Sequence, residues 1–441
     1  MSGGRQIVDE VLEQVQKVAE AAELFLVSSE ETSVQFEANR LKHIQSKQSY
    51  SRALRLIKKG KIGYAVTTSL DDSPGLIKAA VETARFGMPA KFEFPAPTSY
   101  PEVSIYDPGV EPVTPEQMIG LGEEMIATVR EHTRDILCEA GVTKNLISVS
   151  IANSRGGRAS YQKSTFSLGI SGSLIQGTDM LFVGESESSC RPITSTRAIT
   201  ALVIKQLEWA KNRAPAPSQP LPVIFTPNGV MSALILPLMA AFNGKTVLEG
   251  ASPIGSSLGK PVFDKKLWLW DDATFAYHPG SRPFDDEGVP SQRTPLIEAG
   301  TPASFLYDLQ TAALANTRST GNGSRPGGGL PTPAPSAFII KPGDTSFDDI
   351  LADIKEGLVI EHLMGAGQGN ILGGDFSGNV LLGYKVKNGK IIGRVKDTMV
   401  SGNVYHLLKE VKAIGNDSRW VGGFLSSPSL YCPSLSIAVK R

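Results

Sequence analysis

The stretch TSVQFEANRLKHIQSKQSYSRALRLIKKGKIGYAVTTS, residues 32–69, decides the fold class. Its residues alternate: Val34, Phe36 and Ala38 fall on one side of an extended chain. Lys58-Lys59-Gly60-Lys61 predicts a hairpin turn, after which residues 62–66 resume the strand. A helix precedes this stretch, because Ile7, Val8, Val11, Leu12, Val15, Val18, Ala19 and Ala22 recur at helical spacing among Glu, Gln and Lys. Residues 23–28 predict a strand and 76–86 a short helix. An antiparallel meander with helices on one face is an α+β unit.

Working outward, six prolines punctuate residues 91–115 and predict an extended connector. Thr114-Pro115-Glu116-Gln117 then starts a helix, with Thr114 as cap, Pro115 at the first position and Gln117 completing a capping box. Met118, Leu121, Met125, Val129 and Ile136 form its apolar stripe. Residues 145–151 and 160–174 predict strands around the turn Asn153-Ser154-Arg155-Gly156-Gly157, and 195–212 a helix. Four prolines within 214–222 mark a domain boundary. Beyond it come a strand at 223–225, one helix over 228–242 with Pro237 inside it, and then mostly strands, at 267–270, 338–341, 378–387, 390–399 and 430–439. Short helices at 347–354 and 404–411 interrupt them. The expected fold is α+β in two domains. Residues 1–215 form an α/β domain with an antiparallel sheet and flanking helices, in sub-units of about 1–95 and 115–212. Residues 221–441 form a mostly β, barrel-like domain with a few helices. A chain of 441 residues supports the division, since single cores stop growing at roughly 250–300 residues.

Composition excludes several functions. Forty-four basic side chains balance 44 acidic ones, which argues against a protein that lives by nucleic-acid backbone contact. Cys138, Cys190 and Cys432 are too few and too scattered for a disulfide framework, and no Cys-x-x-Cys is present. The first ten residues carry no apolar core of a secretory signal, and the longest nearly apolar run, 230–242, is far short of the ~20 residues that cross a bilayer. The expected location is cytoplasmic, with no membrane contact.

Catalytic motifs are mostly missing. There is no P-loop, no Gly-x-Ser-x-Gly elbow and no Gly-x-Gly-x-x-Gly after a strand. The glycine-rich segment 319–335 is either a mobile turn or a place of close backbone approach. No two of His43, His132, His278, His362 and His406 fall at i, i+4, so a His-Glu-x-x-His zinc site is out. His132 suits a helix C-terminus and His362 a structural role. Asp271-Asp272 and Asp285-Asp286-Glu287 are acidic clusters, which can bind a metal or simply face solvent. Cys432, in an apolar terminal strand, is expected to be a buried, inert thiol.

The segments Val34 to Lys42, Gly60 to Ala65, Asp285 to Pro290, Ser319 to Gly323, Gly374 to Gly378 and Ala413 to Asp417, taken in order, resemble the TldD/PmbA family. The family has two related subunits. The TldD type resembles a metallopeptidase whose His-Glu-x-x-x-His helix and C-terminal cysteine bind one zinc; the PmbA type, also called TldE, lacks the metal motif. The resemblance implies that the two assemble and cleave unfolded or leader peptides. An older family label is modulator of DNA gyrase.

Ser252-Pro253 and Asp271-Asp272 match the family's anchors beyond the zinc helix, and counting back puts Ile235 and Leu236 at the His-Glu positions and Ala240 at the second His. The cysteine ligand would fall within 422–427, where no cysteine stands. The resemblance therefore implies the PmbA/TldE type: no metal or cofactor held by this chain and zinc only in a TldD-type partner. A peptide groove is expected near Arg318, Asn322 and Arg325 of the glycine-rich loop. Implied partners are a TldD-type subunit, a second copy of this chain when alone, and an unfolded peptide. Two alternatives stay open: a stand-alone peptide-binding or regulatory module, and an unrelated enzyme built on Asp285, Asp286 and His362.

Overall fold

The computed structural model describes residues 2–69, 71–177 and 179–439, with side chains from Val8 onward. The side chain of Ile7 lies outside the described set. The chain opens with helix α1 (Ser2–Gln16), shorter than its apolar spacing suggests. Ala22, expected as its last apolar position, belongs instead to strand β1 (Ala21–Glu37), where it faces Leu56. Sheet pairing overrides a local helical pattern when the partner strand completes the core.

The long alternating stretch runs through three strands, not two. β1 turns back at Ala38 and Asn39, with φ of 49° and 67°, into β2 (Arg40–Lys58). Two successive positive φ values are what a two-residue hairpin turn requires. Asn39 is further fixed by Cys138, whose N–H donates to Asn39 Oδ1 at 2.8 Å. The expected turn at Lys59-Gly60 leads into β3 (Lys61–Thr67), and helix α2 (Ser73–Thr83) follows. After the proline-rich connector, α3 (Pro115–His132) carries the anticipated capping box between Thr114 and Gln117.

β4 (Leu137–Asn153) and β5 (Arg158–Gln176) flank the expected turn at residues 154–157. A further strand, β6 (Asp179–Ser189), is absent from the expectation, because Met180 and Phe182 alternate with Leu181 and Val183 and hide the two-residue period. The six strands form one antiparallel sheet in the order β3-β2-β1-β4-β5-β6.

One face of this sheet is covered by helices. At one end Ala22, Leu24, Leu54 and Leu56 pack under α1 and α2. At the other, Val34, Phe36 and Leu168 pack under α3 and α4 (Arg197–Ala210) through Met118, Met125, Ile199 and Val203. Each such large side chain contributes about 1.5–3 kcal/mol. On the opposite face Phe25, Ala53, Val149 and Ile151 close over Phe284 of the second half.

The second half is mostly β, as expected. β7 (Leu221–Phe225) runs parallel to Glu356–Met364 and antiparallel to Leu430–Val439. Strands Thr398–Asn403 and Asp375–Lys387 complete the circuit back to Glu356–Met364, so five strands close into a barrel. A six-stranded sheet that includes Leu269–Asp272, Arg293–Glu298 and Phe338–Ile340 packs beside it. The single helix expected over 228–242 is two: α5 (Pro227–Ala233) and α6 (Ile235–Phe242), separated at Leu234 with φ −108°. Pro237 is the reason, since its ring cannot coexist with an unbroken helix turn reaching back to residue 233.

Candidate functional site

Further along the strands from Phe284, this second sheet face floors a cleft of about 880 Å³. Strand parity decides its chemistry. Val34 and Phe36 point to α3, so Ser33 and Gln35 point into the cleft. On β4, β5 and β6 the same parity selects Gly141, Gly169, Ser171, Gly184 and Ser186, with Gly141 opposite Gly169 and Ser171 opposite Gly184. A floor of glycine and serine leaves main chain and small hydroxyls within reach of a ligand.

The opposite wall comes from the barrel half, through Asn228 at the start of α5 and His362. Between floor and wall lies a buried polar knot. Glu185 accepts from Asn228 Nδ2 at 2.7 Å and Gln206 Nε2 at 3.1 Å on one oxygen, and from Arg419 Nη1 at 2.7 Å on the other. Gln206 also donates to Glu361 at 3.3 Å, and Arg419 Nη2 lies 3.5 Å from the same carboxylate. Burial raises the Glu361 pKa, against the pull of Arg419, and the neighbouring Glu185 charge raises it further. Two buried acids thus share one guanidinium, and Glu185, on the core-facing row of β6, holds Asn228 at the cleft edge. Partial burial lowers the His362 pKa, so its ring favours the neutral form there.

Zinc requires nitrogen, sulfur or oxygen donors. Ile235 and Leu236 offer only hydrocarbon, and so does Ala240, so the residues at the expected metal positions do not fit the ion. Ile235 is 1% exposed and belongs to the barrel core, Leu236 is 48% exposed, and Ala240 is half-buried. α6 is therefore not wholly interior: its apolar surface is exposed at Leu236. In the loop 422–427 a Cβ at Gly422 would come 3.0 Å from Met231 Cε, so the loop packs close to α5. Cys432 sits in the barrel wall, where burial pushes its thiol up to about 12. Among the described residues no group of three or more His, Cys, Asp or Glu is disposed to hold a metal ion.

The remaining expected residues serve elsewhere. Arg318 is exposed. Asn322 is buried, donating to Asp271 Oδ2 at 2.6 Å, and Arg325 pairs with Glu23 and donates from Nε to the Asp286 carbonyl at 2.9 Å. None of the three lines the large cleft. The glycine-rich loop is drawn inward because buried carboxylates collect its amides, as Asp285 Oδ2 does with Gly323 N–H at 2.8 Å. A Cβ on Gly321 would lie 2.6 Å from the Pro290 carbonyl oxygen, so close approach explains that glycine. Asp285 and Asp286 sit in this junction while His362 lines the cleft, so the structure does not assemble them into one site. His132 ends α3 with Nε2 2.6 Å from Glu208.

Sequence reasoning missed Glu185, Gln206, Asn228 and Arg419. One signal was available: Glu185 shares its strand parity with the buried Leu181 and Val183, and an acid on a core-facing row calls for a partner.

Comparison with known proteins bears on this arrangement. The family model described as PmbA/TldA metallopeptidase C-terminal domain matches residues 218–439, and that described as PmbA/TldA metallopeptidase domain 1 matches residues 22–86. An uncharacterized protein of Methanocaldococcus jannaschii is 29% identical over 95% of this chain and 98% of its own length. A metalloprotease of the same organism is 33% identical over 49% of each chain, and the metalloprotease PmbA of Escherichia coli O157:H7 is 29% identical over 49% of this chain and 45% of its own. Among solved structures, TldE from Thermococcus kodakarensis superposes with a TM-score of 0.88 at 22% identity, covering 98% of this chain and all of that one. A Thermotoga maritima protein named for modulation of a DNA gyrase superposes with a TM-score of 0.89, also at 22% identity and with the same coverage. These two share the fold over their full length.

Proposed function

The chain belongs to the PmbA/TldD metallopeptidase family, and we propose that it acts there as the metal-free, PmbA/TldE-like subunit of a peptidase. In this reading it holds an unfolded or leader peptide in the Gly/Ser-floored cleft, while a TldD-type partner brings the zinc and the hydrolysis. The observation that carries it is the hydrocarbon character of Ile235, Leu236 and Ala240, which can neither ligate a metal nor move a proton. The cleft supports it too: exposed strand backbone and small hydroxyls suit an extended peptide of loose sequence. Asn228, fixed by Glu185, is placed to bond a peptide amide at the wall.

Metal content and hydrolysis of an unstructured peptide test this. The chelator-washed chain should hold far less than one zinc and cleave nothing alone, and cleavage should appear when a TldD-type chain is added. Stoichiometric zinc with cleavage by this chain alone would overturn the assignment. That both floor and wall of the cleft come from this chain favours a second reading, a peptide-binding module that works without a peptidase. Peptide binding with no gain in cleavage beside any TldD-type chain would select it.

A further inference from the structure

A smaller recess, of about 330 Å³, opens beside the cleft between β6 and the strand Asp375–Lys387. Met180 and Phe182 of β6, Met364 at the end of its strand, and Val380 and Leu381 form its apolar side, and Asn379, Arg394, Lys396, Asp397 and Thr398 its polar side. Met180, Phe182 and Met364 are 49%, 36% and 55% exposed. Single exposed apolar side chains need no explanation, but three around one recess do.

The main chain adds a second observation. Among the described residues β6 is the terminal strand of its sheet, paired with β5, and on its outer edge the Met180 carbonyl accepts from Arg394 Nη1 at 3.4 Å. Gly184 N–H donates to Gln206 Oε1 at 2.9 Å, and its carbonyl accepts from Gln206 Nε2 at 3.2 Å. Both groups therefore point away from β5, and the side-chain amide of Gln206 occupies the place of a neighbouring strand. Antiparallel pairing repeats every two residues, so the N–H and C=O of Phe182 leave β6 on the same outer edge, toward the recess. The recess is also continuous with the cleft. Gly184 and His362 line the cleft, while Phe182 and Met364, each two residues along the same strand, line the recess.

We propose that this recess is a side-chain subsite for an extended peptide, which rests on the peptide-cleft function given above. The peptide main chain pairs with the Phe182 edge of β6, and one large apolar side chain (Leu, Met or Phe) enters between Met180, Phe182 and Met364. Thioethers adapt to differently shaped side chains, so the subsite selects apolar character and size over identity. Its volume, at the bottom of the range for ligand pockets, suits one side chain and not a folded partner.

The test uses the full chain and a fluorescein-labelled Ser/Ala peptide with one central Leu, set against the same peptide with Ser there. Anisotropy should show the Leu peptide binding about tenfold or more tightly. Phe182→Ser and Met364→Ser, both at exposed positions, should bring the Leu peptide to the affinity of the Ser peptide, removing the preference. Amide exchange at Phe182 should slow on binding. If both peptides bind the wild type equally, the subsite fails and the cleft stands. If neither binds, peptide binding by this chain fails and the subsite with it. A dimer of the free protein that Phe182→Ser dissolves would make the patch an interface between copies and overturn the proposal.

Discussion

Arg55 Nη1 donates to Glu287 Oε1 at 2.5 Å, with the two side chains 2% and 0% exposed. The pair joins β2 to a loop 232 residues away, and it extends to Glu23 on β1 and through Glu23 to Arg325. Burial disfavours the Arg55 charge, but Glu23 and Glu287 outweigh it and raise its pKa. Phe92 and Phe94 pack on the guanidinium, at 4.6 and 5.1 Å from its centre. Arg55→Met would leave two buried carboxylates short of a cation, so it should destabilise the fold by about 3–5 kcal/mol in a urea titration. Arg55→Lys should recover only part of that, because an ammonium cannot reach both acids as the planar fork does.

The acid side of the stability profile should depend on His278. Burial, with the nearby Lys163 charge, holds its pKa down at about 4, and its ring lies 3.7 Å from that of Trp420. The unfolded chain binds the proton near pH 6.5 and the folded chain resists it. Stability from this group is therefore full above about 6.5 and is lost as pH falls toward 4, by up to about 3 kcal/mol. His278→Phe should flatten that interval in thermal unfolding followed across pH.

Gly122 on α3 marks where the helix meets the sheet. A Cβ there would stand 2.2 Å from Phe36 Cε2, and Phe36 is 4% exposed in the core. Gly122→Ala should cost about 1–3 kcal/mol despite its gain in helix propensity. Gly120, two residues earlier with open space around its Cβ, should show only the gain on substitution by Ala. Urea midpoints of the two variants give the comparison.

Two neighbouring positions of α6, Ile235 and Leu236, should respond unequally. Leu236→Glu places a charge on a side chain 48% exposed and should change stability by less than about 0.5 kcal/mol. Ile235→His puts a polar ring at a site 1% exposed among barrel side chains and should cost about 2–5 kcal/mol. Chemical denaturation of both variants checks the contrast.

By itself the sequence determined the α+β class, the hairpin at Lys59-Gly60, the capping box that opens α3 and the carbon-only side chains at 235, 236 and 240. Each of these is local, set by a two- or three-residue period, a turn conformation or the atoms a side chain carries. Periodicity also told which residues share a strand face, but not which face would be covered. Only the tertiary structure decided that helices take the Val34 and Phe36 side and leave Ser33, Gln35 and the glycines of β4, β5 and β6 as a cleft floor. The same holds for Glu185, Glu361 and Arg419, and for Glu23, Arg55, Glu287 and Arg325. Their meaning lies in burial with partners 32 to 302 residues away, and a buried charge takes its identity from whichever opposite charge the fold delivers to it.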